Sequence, residues 1–234
     1  MPSCHSTNDI CADLVQKNGP SEGLVVITDF QEKGKGQGSN KWSSERGENL
    51  TLSYYLNTDF LSAVEQYFLN MAVSLAVSET ARDFLDDKVE IKWPNDIYYG
   101  KKLSGILIQN SLKGHSMEYS IVGIGLNVNQ VQFPVDNATS LRKISGKWYS
   151  IQSVFDALSS RLEFNYLMLK SKSFDQIKKL YMSNLRWLNE NHVFANQGEE
   201  FIGEIIDILP QGNIVISTSK GDRSFDFQEV SFIK

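Results

Sequence analysis

Four apolar, β-branched stretches follow one another at residues 89–93, 97–99, 103–110 and 119–128, with Pro-Asn-Asp, Gly-Lys-Lys and Lys-Gly-His connections between them. Strands linked so briefly pack most naturally as an antiparallel meander, and this limits the fold more than any other segment. Residues 24–30, bounded by Gly23, and 49–56 predict two more strands. Helical spacing predicts a helix over 8–16, behind a Ser-Thr-Asn cluster able to cap its first turn. A second covers 61–85, where Leu61, Val64, Phe68, Met71, Leu75 and Ala76 share a stripe that reads as core. Helical periodicity returns over 151–169 and 174–188, broken at 171–173. Past Asn191 the texture changes to short strands at 201–209, 213–218, 224–227 and 230–233, separated by Pro-Gln-Gly and Lys-Gly-Asp turns. The boundaries that follow are 1–188 for a large α+β domain and 189–234 for a small all-β one. The small one is near the lower size limit for independent stability and is expected to lean on its neighbour.

Composition narrows the function. With 41% apolar and 22% charged residues in 234, the chain has ordinary globular make-up and buries roughly 70% of its unfolded surface. A net charge of −5 argues against a wide basic face, so any anion site has to be local and no DNA partner is expected. Cys4 and Cys11 form no disulfide framework, and with His5 they lack the second pair that a tetrahedral metal site needs. They read as ordinary thiols of a reducing compartment. Residues 1–8 lack the basic head and apolar stretch of a secretory signal, and no run of about 18 apolar residues occurs. A cytoplasmic protein without a membrane partner is expected.

Three segments carry candidate chemistry. The loop at 31–47 is long for a compact domain, and Trp42 within it is costly to leave in water, so the loop is expected to fold onto something. Gly34, Gly36 and Gly38 let backbone N–H groups turn toward an anion, and Lys35 adds a mobile charge. Dinucleotide and phosphate-loop spacings both fail here, and a flexible surface turn would look much the same. Lys92-Trp93-Pro94-Asn95-Asp96 is more informative, because proline holds Trp93 extended while Asn95 and Asp96 favour the turn that follows. With Lys101 and Lys102 it makes a mixed-charge cluster suited to a nucleotide phosphate and a divalent ion. Lys102 stands at the mouth of an apolar strand: turned inward it needs an anionic partner, turned outward it is an ordinary surface lysine. Gly105, Gly123 and Gly125 interrupt strands that should prefer larger residues, leaving a trough for a ligand. Asn127 is placed to hydrogen-bond a polar ligand or to end its strand.

Ser6-Thr7-Asn8, residues 31–42, Asn49-Leu50 with Ser53, Lys92-Trp93-Pro94-Asn95-Asp96, residues 102–107 and residues 123–127 occur in the order and spacing of one family. Together they resemble the biotin–protein ligases, also called biotin–[acetyl-CoA-carboxylase] ligases, from residue 6 to the end. The resemblance implies a mixed, mostly antiparallel sheet with flanking helices, akin to class II aminoacyl-tRNA synthetases and lipoate ligases, followed by a small SH3-like β-barrel. It implies that biotin and ATP, with Mg²⁺, give biotinoyl-5′-AMP and pyrophosphate. A lysine of a biotin carboxyl carrier protein domain, part of a biotin-dependent carboxylase, then attacks the mixed anhydride. Because the biotin carboxylate is itself the nucleophile, such a protein needs positioning and charge compensation rather than a nucleophilic side chain.

By the same resemblance the chemistry falls to Lys102, Lys35 and Asp96. Lys102 bridges the carboxylate and the α-phosphate, Lys35 closes the glycine loop, and Asp96 orients the incoming lysine or helps hold Mg²⁺. Ser6, Thr7, Gln31, Gly34, Lys35, Gly36, Lys102, Gly105, Gly123 and Gly125 fall to biotin. Gln37, Trp42, Ser53, Asn95, Asp96, Lys102 and Asn127 fall to ATP, with Trp42 packing on adenine once residues 33–42 order. No set of metal ligands follows, and a homodimer is allowed.

Gln37, Gly38 and Asn40 stand where many members carry arginines, so retention of the acyl-adenylate is expected to be looser. Only five residues precede Ser6, fewer than the family's usual preceding strand needs, so part of that strand is missing or the start is truncated. They leave no room for the helix-turn-helix domain of repressor-type members, so the resemblance is to the monofunctional type. A lipoate–protein ligase-like enzyme would share the fold but shows an Arg-Arg-x-Ser-Gly-Gly-Gly run that is absent here. A non-catalytic biotin or nucleotide sensor fits the thinner loop charge but not the presence of Lys102, Asp96 and Lys35.

Overall fold

A computed structural model describes every residue except Pro20, Ser39, Asp87 and Lys234, and only the backbone of Asn18. Its larger sheet has the order β1 (Val25–Thr28), β2 (Asn49–Asn57), β6 (Ser116–Asn127), β5 (Lys101–Lys113), β4 (Asp96–Tyr99), β3 (Glu90–Lys92). The β3–β6 half is the expected meander. Every pairing between these strands is antiparallel. The parallel part of the expected mixed sheet is confined to isolated bridges, among them Cys4 to Gln31 and Lys102 to Ala138.

Alternation makes this sheet two-faced. Leu50, Leu52, Tyr54 and Leu56 on β2, with Val122, Ile124 and Leu126 on β6, join one apolar core with α2 (Gln66–Phe84) and α4 (Ile151–Lys170). Their neighbours in the strands, Asn49, Thr51 and Ser53 with Gly123, Gly125 and Asn127, form the opposite face. That face is small and polar. Helix α1 (Thr7–Asn18) covers only part of it, packing Cys11 and Val15 on Val26, Tyr55 and Ile121. Ser6 is the N-cap residue of α1, but its side chain makes no cap bond. Gln31 supplies the cap from a distance, its Oε1 accepting from the Thr7 N–H at 2.7 Å and the Thr7 hydroxyl at 3.1 Å.

The structure corrects the expected elements at several points. The helix expected over 61–85 begins as a 3-10 turn, Ala63–Glu65, which leaves Val64 exposed rather than in the core stripe. Helix α3 (Leu141–Ser145) is too short to show periodicity, and α5 (Phe174–Ser183) stops short of residue 188, where the chain turns through positive φ at Trp187 and Asn189. The C-terminal sheet has a fifth strand, β7 (Asn191–Asn196), in the order β10 (Gly221–Phe225), β9 (Ile214–Thr218), β8 (Glu199–Ile208), β7, β11 (Ser231–Phe232). Among the described residues β10 and β11 are not paired with each other, so the pairing is that of an open antiparallel sheet and does not by itself close the expected SH3-like β-barrel. The leaning is real. Phe194, Ile205, Ile208, Ile214 and Ile216 belong to the same core as the large sheet. Trp93, 3% exposed, donates from Nε1 to Gly212 O at 2.9 Å and stacks on Phe227 and Phe232.

Candidate active site

A row of directly opposed residues crosses the polar face. Lys92 pairs with Asp96, Asp96 with Gly105, Gly105 with Gly125, and Gly125 with Thr51. Opposed residues point to one side, so two charged side chains stand beside a floor that has none. A cavity of about 430 Å³ rises on that row.

Strict alternation would turn Lys102 to the face opposite Gly105. A bulge prevents this: Ser104 pairs with Ile97 and Lys102 with Tyr98, which skips Leu103 and brings the lysine round to the cavity. Its N–H donates to Asn137 O at 3.1 Å, and its carbonyl accepts from the Thr139 N–H at 2.9 Å. The ammonium lies 2.6 Å from Asp96 Oδ1, and Gly105 adjoins it, where a Cβ would be 3.3 Å from Lys102 Nζ. The inward orientation is the observed one, and Asp96 is the partner it requires.

Ser6, Thr7, Gln31, Lys35, Gly36, Gln37, Trp42, Asn95, Asp96, Lys102, Gly105, Gly123 and Gly125 all line this cavity. Three site residues do not. Gly34 accepts the Trp42 N–H at 3.0 Å, and a Cβ there would meet Trp42 O at 2.3 Å, so its need for glycine comes from the loop itself. Ser53 is fully buried behind the wall, 2.7 Å from Thr7 Oγ1 and 2.5 Å from Asn8 Oδ1, on the α1 side. Asn127 donates to Thr139 O at 2.9 Å and so supports the segment that fixes Lys102. Asn95 lines the cavity but donates its amide to Ile106 O, pinning the turn to β5.

The glycine loop differs from expectation. Residues 34–38 and 40–42 form the arms of a hairpin with a Lys35 to Lys41 bridge, and the Gly36 N–H is used by Asn40 O at 2.8 Å rather than turned to an anion. Ser39 lies outside the described residues. Lys35 reaches away to Asp9, Nζ to Oδ1 2.7 Å, with both side chains about half exposed at 48% and 46%. Trp42 covers the floor: a Cβ on Gly125 would be 2.3 Å from its ring, and one on Gly105 3.5 Å. Its Nε1 is buried without a partner among the described residues. Gly123 is covered by Asn8, whose Oδ1 would be 2.3 Å from a Cβ. The open trough is therefore roofed by the protein's own side chains.

Lys35, Lys41, Lys92 and Lys102 line the cavity against one carboxylate among the described residues, Asp96. The locally cationic site sits in a chain of net charge −5. The described residues contain no group of three or more His, Cys, Asp or Glu placed to hold a metal, and both cysteines are free thiols. Sequence reading does not anticipate Gln228, Val230, Ser231 and Phe232 in the lining; no motif marks them, since only packing of the C-terminal sheet brings them there.

Residues 1–127 match the model of the biotin/lipoate A/B protein ligase family. The chain belongs to this family. It is 30% identical over 223 residues to the bifunctional ligase/repressor BirA of Bacillus subtilis, covering 92% of this chain and 68% of that protein. It is 28% identical over 229 residues to biotin–protein ligase 2 of Arabidopsis thaliana, covering 88% of this chain and 68% of that protein. Among solved structures, the biotin protein ligase from Aquifex aeolicus in complex with biotin and ATP superposes with a TM-score of 0.82 at 28% identity, covering 100% of this chain and 97% of that one. The family's α+β architecture of antiparallel sheet and flanking helices is the architecture described above.

Proposed function

We propose that the chain is a biotin–protein ligase, which activates biotin with ATP and transfers it to a lysine of a biotin carboxyl carrier domain. The observation that carries this reading is Lys102 on Asp96 beside the Gly105–Gly125 floor. Two anions, the biotin carboxylate and the α-phosphate, repel each other as they meet, and a fixed ammonium between them offsets that repulsion. A carboxylate oxygen forms the new bond to the α-phosphorus, the bond to the β-phosphate bridging oxygen breaks, and pyrophosphate leaves. The acceptor amine then attacks the acyl carbon, an amide forms, AMP departs and the amine gives up its proton. Asp96, the one carboxylate lining the cavity among the described residues, would orient that amine or help hold Mg²⁺.

Thr7 and Gln31, bonded to each other, supply polar groups for the biotin end, with Ser6 beside them. Gln37 and Trp42 roof the nucleotide end. The unpaired Trp42 N–H, buried at a cost of about 1–3 kcal/mol, favours a shift of that ring when a ligand enters. Mg²⁺ belongs to the substrate here: one carboxylate plus nucleotide phosphates is the donor set this ion commonly takes. Residues 1–188 act as the catalytic unit and 189–234 as an SH3-like module docked through Trp93.

Incubation with ATP, Mg²⁺, radiolabelled biotin and a carrier domain tests the reading. Label on the carrier together with pyrophosphate release is the expected result. Lipoate transfer in its place, or tight biotin binding without pyrophosphate, would replace it with the lipoate ligase or the sensor.

A further inference from the structure

Two lysines reach the cavity from the large sheet. Lys102 is held by Asp96, whereas Lys92 has no carboxylate oxygen within 4.0 Å among the described residues. The Lys92 ammonium lies instead over two rings, Tyr98 at 5.2 Å and Phe232 at 5.1 Å to the centroids. Tyr98 belongs to β4 and Phe232 to β11, so the cation is clamped between the two sheets. Arg186, also near Tyr98, is neutralised by Glu90. Lys92, Lys102 and Arg186 thus face two carboxylates, Glu90 and Asp96, and among these five groups one positive charge is left over, at Lys92. Burial holds the Lys92 pKa below the ordinary lysine value; Lys102 and Arg186 push the same way against the pull of Asp96.

We propose that Lys92 binds the diphosphate end of ATP and the pyrophosphate that leaves, and that Phe232 positions it. The inference rests on the ligase reading for its choice of anion. Attacking and leaving oxygens stand on opposite sides of the phosphorus in such a displacement. Ser6, Thr7 and Gln31 line the cavity on the far side of Lys102 from β3, so with biotin at those residues and the reacting centre at Lys102 the leaving side falls toward β4 and β3. Lys92 is the last residue of β3, on that edge. The same placement gives the C-terminal sheet a task in the site: Phe232 keeps the ammonium from folding back into solvent.

The test uses inorganic pyrophosphate alone and biotin alone, each titrated calorimetrically into the full chain, beside the KM for ATP. Lys92→Met is expected to weaken pyrophosphate binding and raise the KM for ATP by about tenfold or more, the loss of one charged hydrogen bond, with biotin affinity unchanged. Lys92→Arg should restore most of it, and Phe232→Leu should weaken pyrophosphate by about threefold. Unchanged pyrophosphate affinity in a folded Lys92→Met variant overturns the proposal, as does an equal loss of biotin affinity, which would make Lys92 a support of the sheet. Pyrophosphate binding needs no turnover. A wild-type chain that binds it through Lys92 yet never adenylates biotin would therefore remove the ligase reading and leave the anion site standing.

Discussion

Lys102 is fixed from three sides, by the β4–β5 bulge, by backbone bonds to Asn137 and Thr139, and by Asp96, whereas Lys35 rides on a hairpin and, among the described residues, its ammonium is tied to Asp9 at the surface. By the family resemblance both lysines serve one reaction, yet the fold spends its rigidity on one of them. The difference follows from when each charge is needed. A cation that lowers repulsion between two reactants has to be in place before they meet, because reorganising it during the reaction would cancel the gain. A cation that closes a site has to let the reactants in first. The hairpin is bonded within itself at Gly36 to Asn40 and Trp42 to Gly34, so its internal bonds do not depend on the sheet that holds Lys102.

Removing the fixed charge should have the largest effect. Lys102→Ala is expected to lower pyrophosphate release about a thousandfold, the loss seen for one preorganised donor, while the urea midpoint stays where it is. A folded variant with normal turnover would erase the distinction between the two lysines.

The rigid side can be loosened without touching a lysine. Gly212 has φ +105°, and a Cβ there would lie 2.6 Å from Tyr67 Cδ2 and 2.8 Å from Phe227 Cζ, while its carbonyl receives the Trp93 indole N–H. Gly212→Ala should cost about 1–3 kcal/mol in urea unfolding, through both the backbone strain and the crowding. It should also raise the KM for ATP, since Trp93 adjoins Lys92. Stability equal to wild type would show that the two sheets are not coupled through this corner. On the hairpin side Lys35→Ala is expected to slow turnover about tenfold, the low end for a single charged contact. A loss as large as that of Lys102→Ala would mean that the hairpin is as preorganised as the sheet.

The contrast between these regions also decides what was legible in the residues. The meander shows in Ile97, Leu103, Ile106, Ile124 and their turns because alternation and punctuation are local properties. Strand β7 hides because only Phe194 of its six residues is buried, and α3 because five residues make no period. The bulge at Leu103 is invisible for a different reason. It answers to the Asn137–Thr139 segment, far along the chain, and without it the spacing of Lys102 and Gly105 points to opposite faces. Ser53 and Asn127 illustrate a further limit: a polar residue on a strand announces a hydrogen bond but not its partner, and here the protein partners are Thr7, Asn8 and Thr139.

The smallest effect separates the hairpin's position from its function. Lys35 and Asp9 form a pair in which both side chains are about half exposed, so solvent and salt screen it and its worth is within about 0.5 kcal/mol. Asp9→Asn should therefore leave the urea midpoint nearly unchanged and release Lys35 toward the cavity. If the pair merely parks the ammonium until substrates arrive, the variant should show a KM for ATP lower by about twofold at low ionic strength, and the gap should vanish at high salt. A raised KM would instead mean that Asp9 aims Lys35, and the hairpin would then share the preorganisation assigned here to the sheet alone.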